Sequence, residues 1–438
     1  GKVDLSVLFV ERCLDLLKKD SILGLIIQRR WFKTTYGEKA RNVIADSGYL
    51  KTLLDIGTTK LFHGRITYVS IIILQKMNKK SVEYDYIPGN DCVDVINYLS
   101  KKDKVRKEIP MSFFQGRVWS PEFYDMTKIK EKYAEKIGTL GENSSIHIRD
   151  GIQALWKKMY HITQYYEKNN MIYGKNGFGE TVCLEKDMVK PVIYNREFLP
   201  LKSLKPDAYC LFPYSGMNNK VKASINEIKD KFPKTYQYLS RNKTRICDQV
   251  ECNEGEYWHT FTREHNHECF LSKKVIIPMT ARDTFATYEG GKGLYMDNSN
   301  VWFINVDSED EIELKAIAMI INSTVFSVFA KSGANPQSGN YFKFNKQFLV
   351  PVPFPNSRVN KEDMFTWKLS KLYDEIVNIM EQHNKAGEIN AIHFESVLES
   401  KWEEVDATCE KMYELEDSDL YEIEKMGRAL SRITGLER

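Results

Sequence analysis

The chain has 438 residues, with 63 Lys+Arg against 60 Asp+Glu and a net charge of only +3. Its 42% hydrophobic and 28% charged residues exclude a disordered chain, and its length predicts two to four domains at about 100–200 residues each. No apolar run reaches the roughly 18 residues of a membrane span; the longest candidate, Ala316 to Ala330, is interrupted by Asn322, Ser323 and Thr324, so no membrane is expected.

Eight cysteines scattered through the chain read as reduced thiols, and with no signal-peptide pattern the expected compartment is the cytoplasm. The start at Gly1 rather than Met points to a processed chain or an expression product. The near-neutral total also conceals an asymmetry. From Lys361 onward there are 10 basic and 19 acidic residues, a net of −9, which leaves +12 on residues 1–360. A basic body with an acidic tail fits a polyanion-binding protein, although a solvated acidic helical tail explains the second half equally well.

In chain order, Leu5, Leu8, Phe9, Cys13, Leu16 and Leu17 recur at helical spacing. Ile22 to Ile27 is a continuous apolar strand of the kind buried on both faces. A helix is expected over Thr34–Asp46, ending at Gly48, then strands over Leu50–Ile56 and Tyr68–Leu74. A strand apolar on both faces belongs inside a sheet, yet only two more strands follow before the pattern changes. The chain therefore enters an α/β domain partway through, and either another chain completes the sheet or an upstream half has been removed.

Residues 77–143 are polar and Lys-rich and read as a connecting region, with a strand over Val82–Ile87 and a helix over Val93–Leu99. Residues 144–355 mix short strands with turn clusters such as Gly174–Gly179 and Gly290–Gly293, and contain one strong helix, Glu313 to Ala330. Prolines within Leu349–Pro355 close this region. Over 356–438, three amphipathic helices follow from Leu369, Leu372, Tyr373, Ile376 and Met380, from Leu398, Trp402, Val405, Cys409 and Met412, and from Leu420, Ile423 and Met426.

The stretch Asp4–Lys76 resembles the latter half of a γ-class DNA adenine-N6 methyltransferase domain. The pieces Ile148–Gln153, Val189–Phe198, Tyr209–Tyr214, Lys231–Ile246, Lys273–Pro278 and Ile321–Pro355 resemble the TaqI-like target-recognition domain of type IIG restriction–modification enzymes. The resemblance covers nearly the whole chain. It implies an α/β and α+β protein: the C-terminal part of a Rossmann-like methyltransferase sheet over 1–76, a recognition domain over 144–355 and a helical support over 356–438. It also implies double-stranded DNA as partner and S-adenosylmethionine as cofactor of the complete enzyme, with Mg²⁺ if a nuclease domain lies upstream. The family's Phe-x-Gly-x-Gly loop and Asn-Pro-Pro-Tyr loop do not occur in this sequence. Gly174–Gly179 and Gly290–Gly293 do not replace them, since neither follows an apolar strand and opens a helix. The expectation is a chain that does not bind the cofactor or methylate DNA alone, carries no catalytic residue, and works with a methyltransferase half on the same or a separate chain. In the second case it would be a non-catalytic DNA-specificity module.

In that family the flipped adenine is stacked on an aromatic after the apolar strand, which the resemblance places at Tyr36, with Phe32 and Trp31 as competitors. Arg29, Arg30, Lys33 and Arg41 surround this corner and suit phosphates, or form an ordinary solvated face. In the recognition region Arg149, Gln153, Lys157, Lys158, Arg196, Arg241, Asn242, Lys243, Arg245 and Arg282 are candidates for base edges or phosphates, because their donors match guanine, adenine and phosphate oxygens. Each alone is more often a phosphate contact or surface charge than a base reader, and as a set they fit the basic balance of the body. Cys247, Cys252, His259, His265, His267 and Cys269 carry zinc-ligand chemistry but match no standard finger spacing, so no metal site is expected.

Overall fold

The computed structural model describes residues 5–428 and 432, apart from 58, 60, 63–66, 88–90, 102–104, 117, 195–200, 202–203, 217–218, 265, 338–339 and 384–387. The chain divides into two compact units, one of residues 1–129 with 335–341 and one of 130–334 with 342–438. The division after residue 129 falls within α4 (Tyr124–Ile137).

In the first unit the elements are α1 (Leu5–Leu16), β1 (Ile22–Gln28), α2 (Glu38–Asp46), β2 (Leu50–Asp55), β3 (Val69–Gln75), β4 (Ser81–Tyr86), α3 (Cys92–Ser100) and β5 (Lys107–Pro110). They form a sheet of order β1-β3-β2-β4-β5. Strand β3 runs antiparallel to both β1 and β2, and β2 is parallel to β4. The stretch expected to be a connection thus supplies β4 and β5 to the same sheet. Ile44, Leu50, Leu53, Ile72, Leu74, Val82, Ile109 and Phe114 fill the core at or near complete burial.

Two apolar elements of this unit are covered on one face only. Strand β1 lies at the sheet edge, with Ile22 and Ile26 exposed, rather than between two neighbours. Helix α1 buries Val7, Val10 and Leu14 while Leu5, Leu8, Phe9 and Leu16 stay exposed. Both elements are apolar on two faces, and the structure covers only one of them.

The second unit holds a six-stranded sheet of order β17-β10-β11-β7-β8-β9, built from β7 (His161–Lys168), β8 (Met171–Lys175), β9 (Thr181–Glu185), β10 (Val189–Ile193), β11 (Ala208–Leu211) and β17 (Tyr295–Met296). A four-stranded sheet of order β16-β14-β18-β6 uses β6 (Ile146–Asp150), β14 (Lys274–Pro278), β16 (Thr287–Glu289) and β18 (Val301–Val306). Smaller pieces include α5 (Lys157–Tyr160), the ladder β12 (Tyr214–Ser215) with β13 (Val221–Lys222), α6 (Ile225–Lys231), and β15 (Thr280–Ala281) paired with β20 (Phe342–Lys343). Helix α7 (Pro233–Cys247) lies against β9. Its buried Thr235, Tyr238, Leu239, Asn242 and Ile246 follow helical spacing, and the Glu185 carboxylate accepts from the Lys234 and Thr235 amides at its start.

The expected single helix over 313–330 is two, α8 (Glu311–Asn322) and α9 (Thr324–Gly333), bent by 65°. Ser323 makes the break: its Oγ caps α9 by accepting from the Phe326 amide, and Asp406 accepts the Thr324 amide at 2.8 Å. Both helices are buried, and no single helix among the described residues is long and apolar enough to cross a membrane. After the short α10 (Lys346–Leu349), α11 (Met364–His383) packs on α8 and on α12 (Glu388–Tyr413), and α13 (Asp417–Met426) packs on α9. The apolar stripes read in α11 and α12 are the ones buried. The acidic tail is therefore part of this unit's core.

Candidate nucleic-acid interface

In the first unit, β1 runs into two 3-10 turns, Arg29–Phe32 and Thr35–Gly37, before α2 begins. Trp31 and Phe32 are 1% and 2% exposed, and each packs 5.5 Å from the Trp119 ring. Both are core aromatics. Tyr36 differs: it is half-buried, and the Arg30 guanidinium lies 5.8 Å from its ring. Its hydroxyl has no hydrogen bond among the described residues. Arg41 reaches from α2 to donate to the Trp31 and Thr34 carbonyls at 2.5 and 2.8 Å, tying the corner to the helix. Gly37 is required there, because a Cβ would collide with the Trp31 carbonyl.

The cations expected on phosphates divide by burial. Arg29 donates to both Asp55 oxygens at 2.7 and 2.8 Å and to Glu122 at 3.0 Å, and Lys33 reaches Glu122 at 3.4 Å. Asp55 also accepts from Ser70 Oγ and the Gly57 amide. Burial pushes the Asp55 carboxyl up, but Arg29 and these donors outweigh it and hold the group below its ordinary value. Burial depresses the Lys33 ammonium against the pull of Glu122. Arg29, Lys33 and Arg41 are therefore internal braces in this structure, and Arg30 is the exposed cation of the four.

In the second unit, Lys157 and Lys158 form the start of α5, and Arg241, Asn242, Lys243 and Arg245 sit on the last turns of α7. Lys158, Arg241 and Lys243 are exposed. Lys158 and Arg245 converge on one ring, Phe178, at the tip between β8 and β9. Lys243 points elsewhere, over Trp258 at 5.3 Å. Asn242 is buried and donates its amide to the Tyr238 carbonyl, which removes it from base reading in this structure. Arg149 holds Asn305 and Asn266 at 3.0 and 3.1 Å. Gln153 and Arg282 are half-buried, and Arg196 lies outside the described residues.

Lys157 is held at 2.5 Å by Asp297, a fully buried carboxylate that also takes the Ser299 amide. His161 stacks on Tyr194 at 4.6 Å with Nε2 3.6 Å from Asp297. Burial, opposed by Asp297, pushes its pKa down to about 4. The sequence reading passed over Phe178, Asp297 and His161. Phe178 carried a signal, an aromatic between glycines in a turn; the other two carried none.

Cys247 and Cys252 form a disulfide, in contrast to the expected free thiols. His259 is buried with Nε2 3.1 Å from the Ala223 carbonyl, and His267 is buried among the rings of Phe212, Tyr214 and Phe261. Cys269 is buried as well, and His265 lies outside the described residues. Among the described residues no three metal-ligating side chains converge.

With this geometry in hand, the chain is similar to type II restriction–modification methyltransferases. Residues 1–62 match the Eco57I restriction-modification methylase family. The Type II restriction enzyme and methyltransferase RM.Eco57I of Escherichia coli is 22% identical over 440 residues, covering 95% of this chain and 43% of that protein. The Type II methyltransferase M.BstVI of Geobacillus stearothermophilus is 20% identical, covering 82% and 63%. Among solved structures, the type IIL restriction-modification enzyme MmeI in complex with DNA shares the fold at a TM-score of 0.55 and 10% identity, covering 96% of this chain and 51% of that one. The chain thus spans about half the length of RM.Eco57I and of MmeI.

Proposed function

We propose that this chain is the C-terminal part of a site-specific DNA adenine-N6 methyltransferase of the type IIG kind. The second unit would locate the duplex sequence, and the first would finish the catalytic sheet and present Tyr36 to the flipped adenine. The observation that carries the reading is the uncovered edge of the first unit. An edge strand with exposed Ile22 and Ile26 lies beside a helix exposing Leu5, Leu8, Phe9 and Leu16, all apolar and unpartnered among the described residues. Apolar surface and free strand edges of this kind are normally covered. A further strand and helices bearing the Asn-Pro-Pro-Tyr and glycine-rich loops would cover them, on the same chain or on a separate subunit.

Neither glycine cluster of this chain has the strand-to-helix setting of an S-adenosylmethionine loop. Gly174–Gly179 runs from the end of β8 through the turn before β9, and Gly290–Gly293 lies between β16 and β17, so both glycine clusters link strand to strand. Neither presents a helix N-terminus to an anionic or carboxylate group. No step is therefore assigned to the cofactor on this chain, and Mg²⁺ would belong to a nuclease domain elsewhere.

Transfer of a tritiated methyl group from S-adenosylmethionine to duplex DNA tests the reading. The polypeptide encoded in frame upstream, joined to this chain, is expected to label adenine N6, and the 438-residue chain alone to label nothing. Methylation by the chain alone, or labelling of cytosine by the joined protein, would refute it.

A further inference from the structure

The tip between β8 and β9 is rigidly built and presents an aromatic ring to solvent. Asn176 is buried, and its Oδ1 accepts from the Phe178 and Glu180 amides at 3.0 and 3.1 Å. Its Nδ2 donates to Glu180 and to the Tyr238 hydroxyl. The Gly177 amide donates to the Lys158 carbonyl at 2.7 Å, and a Cβ at Gly177 would stand 2.7 Å from the Lys158 backbone, so the loop sits flush on α5. Phe178 nonetheless remains 39% exposed.

Around that ring the charge is mostly positive. The Arg245 guanidinium stacks 3.8 Å from its centroid, Lys158 Nζ lies at 5.4 Å, and Trp156 meets it edge-on at 5.3 Å. Arg241 lies one turn before Arg245 on the same side of α7. Glu180 pairs with Arg245 at 2.8 Å, which leaves Lys158 and Arg241 as exposed excess cations. An ordered, exposed aromatic flanked by cations matches a duplex, whose base steps accept an apolar wedge and whose phosphates need neutralising.

We propose that Phe178 is an apolar contact of this chain to duplex DNA, inserted at a base step, with Lys158 and Arg241 on the flanking phosphates. This rests on the reading of the second unit as a DNA-recognising unit. It assigns the tip of β8 and β9, with α5 and the end of α7, as the surface that meets the duplex.

The test uses the full 438-residue chain and an end-labelled duplex of mixed sequence, titrated over a range of salt, with a fluorophore pair at the two ends to read bending. Phe178→Ala is expected to weaken binding about 5- to 150-fold, the span of one aromatic–base stack, to relax the bend and to leave the salt slope unchanged. Phe178→Trp is expected to bind like the parent. Lys158→Ala and Arg241→Ala are each expected to lower the salt slope by about 1. If Phe178→Ala melts early, Phe178→Gln keeps much of the side-chain bulk while losing the apolar wedge, and its bend decides. A chain that binds the duplex with affinity and bend unchanged in Phe178→Ala and Phe178→Gln overturns the inference and leaves the proposed function standing. A chain that binds no duplex at any salt overturns both. Stronger, Phe178-dependent binding to single-stranded RNA of the same sequence overturns the assignment to duplex DNA.

Discussion

Arg29 and Asp55 close a two-point ion pair, 2.7 and 2.8 Å, that joins the end of β1 to the end of β2 across β3. Asp55 is fully buried and Arg29 nearly so. The pair holds the start of the corner that carries Tyr36. Asp55→Asn leaves the guanidinium half-paired in the interior, and a broken buried pair costs about 3–5 kcal/mol. Chemical denaturation followed through Trp31 and Trp119, which lie in the same core, is expected to show a loss of that order. Arg29→Lys is expected to recover only part of it, because one ammonium cannot span both oxygens.

Tyr36 is the half-exposed aromatic of the corner, whereas Phe32 is core. In the joined enzyme, Tyr36→Ala is expected to slow methylation about 5- to 150-fold, the worth of roughly 1–3 kcal/mol of base stacking. Tyr36→Phe keeps the ring and is expected to behave like the parent, consistent with a hydroxyl that has no partner among the described residues. The loss for Tyr36→Ala is expected to shrink on a substrate whose target adenine is mismatched, since extrusion then costs less. Equal losses for Ala and Phe would assign the role to the hydroxyl.

Much of the fold was legible because periodicity and burial agree in α11 and α12, each packed on one side. In α1 it located the helix but not its buried face, because Leu5, Leu8, Phe9 and Leu16 make one apolar row and Val7, Val10 and Leu14 another, and only tertiary neighbours choose between them. The edge position of β1 was hidden for the same reason, since a two-sided apolar strand reads as central. At the candidate site, residue type located the cations but not their state. Lys157 meets Asp297 140 residues away and Lys33 meets Glu122 89 residues away, and no local pattern announces such partners. Phe178 was legible as an odd aromatic in a turn, but its cation neighbours come from α5 and α7.

The tail after Lys361 is acidic yet structural. Leu369, Leu372, Ile376 and Met380 are buried in α11, which packs on α8, and Asp374 pairs with Lys315 at 2.7 Å. Truncation after Asn360 would expose α8 and is expected to give an aggregating protein without a cooperative melt, measured by size-exclusion chromatography and circular dichroism. A soluble, cooperatively melting 1–360 fragment would contradict this packing.

Burial pushes His161 and His259 down to about 4 from 6.5. Below pH 6.5 the unfolded chain takes up protons at these rings that the folded chain refuses until about pH 4. Their contribution to stability is therefore whole above pH 6.5 and falls as the pH drops toward 4. At 1.36 kcal/mol per pKa unit, each is worth about 3 kcal/mol over that window. His161→Gln is expected to flatten the stability profile between pH 6.5 and 4, as read from denaturant midpoints of the second unit. An unchanged slope would contradict the neutral, buried ring.

Hydrogen–deuterium exchange at β1 tests most directly the claim that the first unit is part of a larger sheet. In the 438-residue chain, the Ile22–Gln28 amides that face away from β3 are expected to exchange quickly. When the chain is joined to the polypeptide encoded upstream, or mixed with a separate subunit bearing the Asn-Pro-Pro-Tyr loop, the same amides are expected to become protected together with α1. Unchanged exchange at β1 in both complexes would contradict the account, because the edge would then be the natural boundary of the sheet.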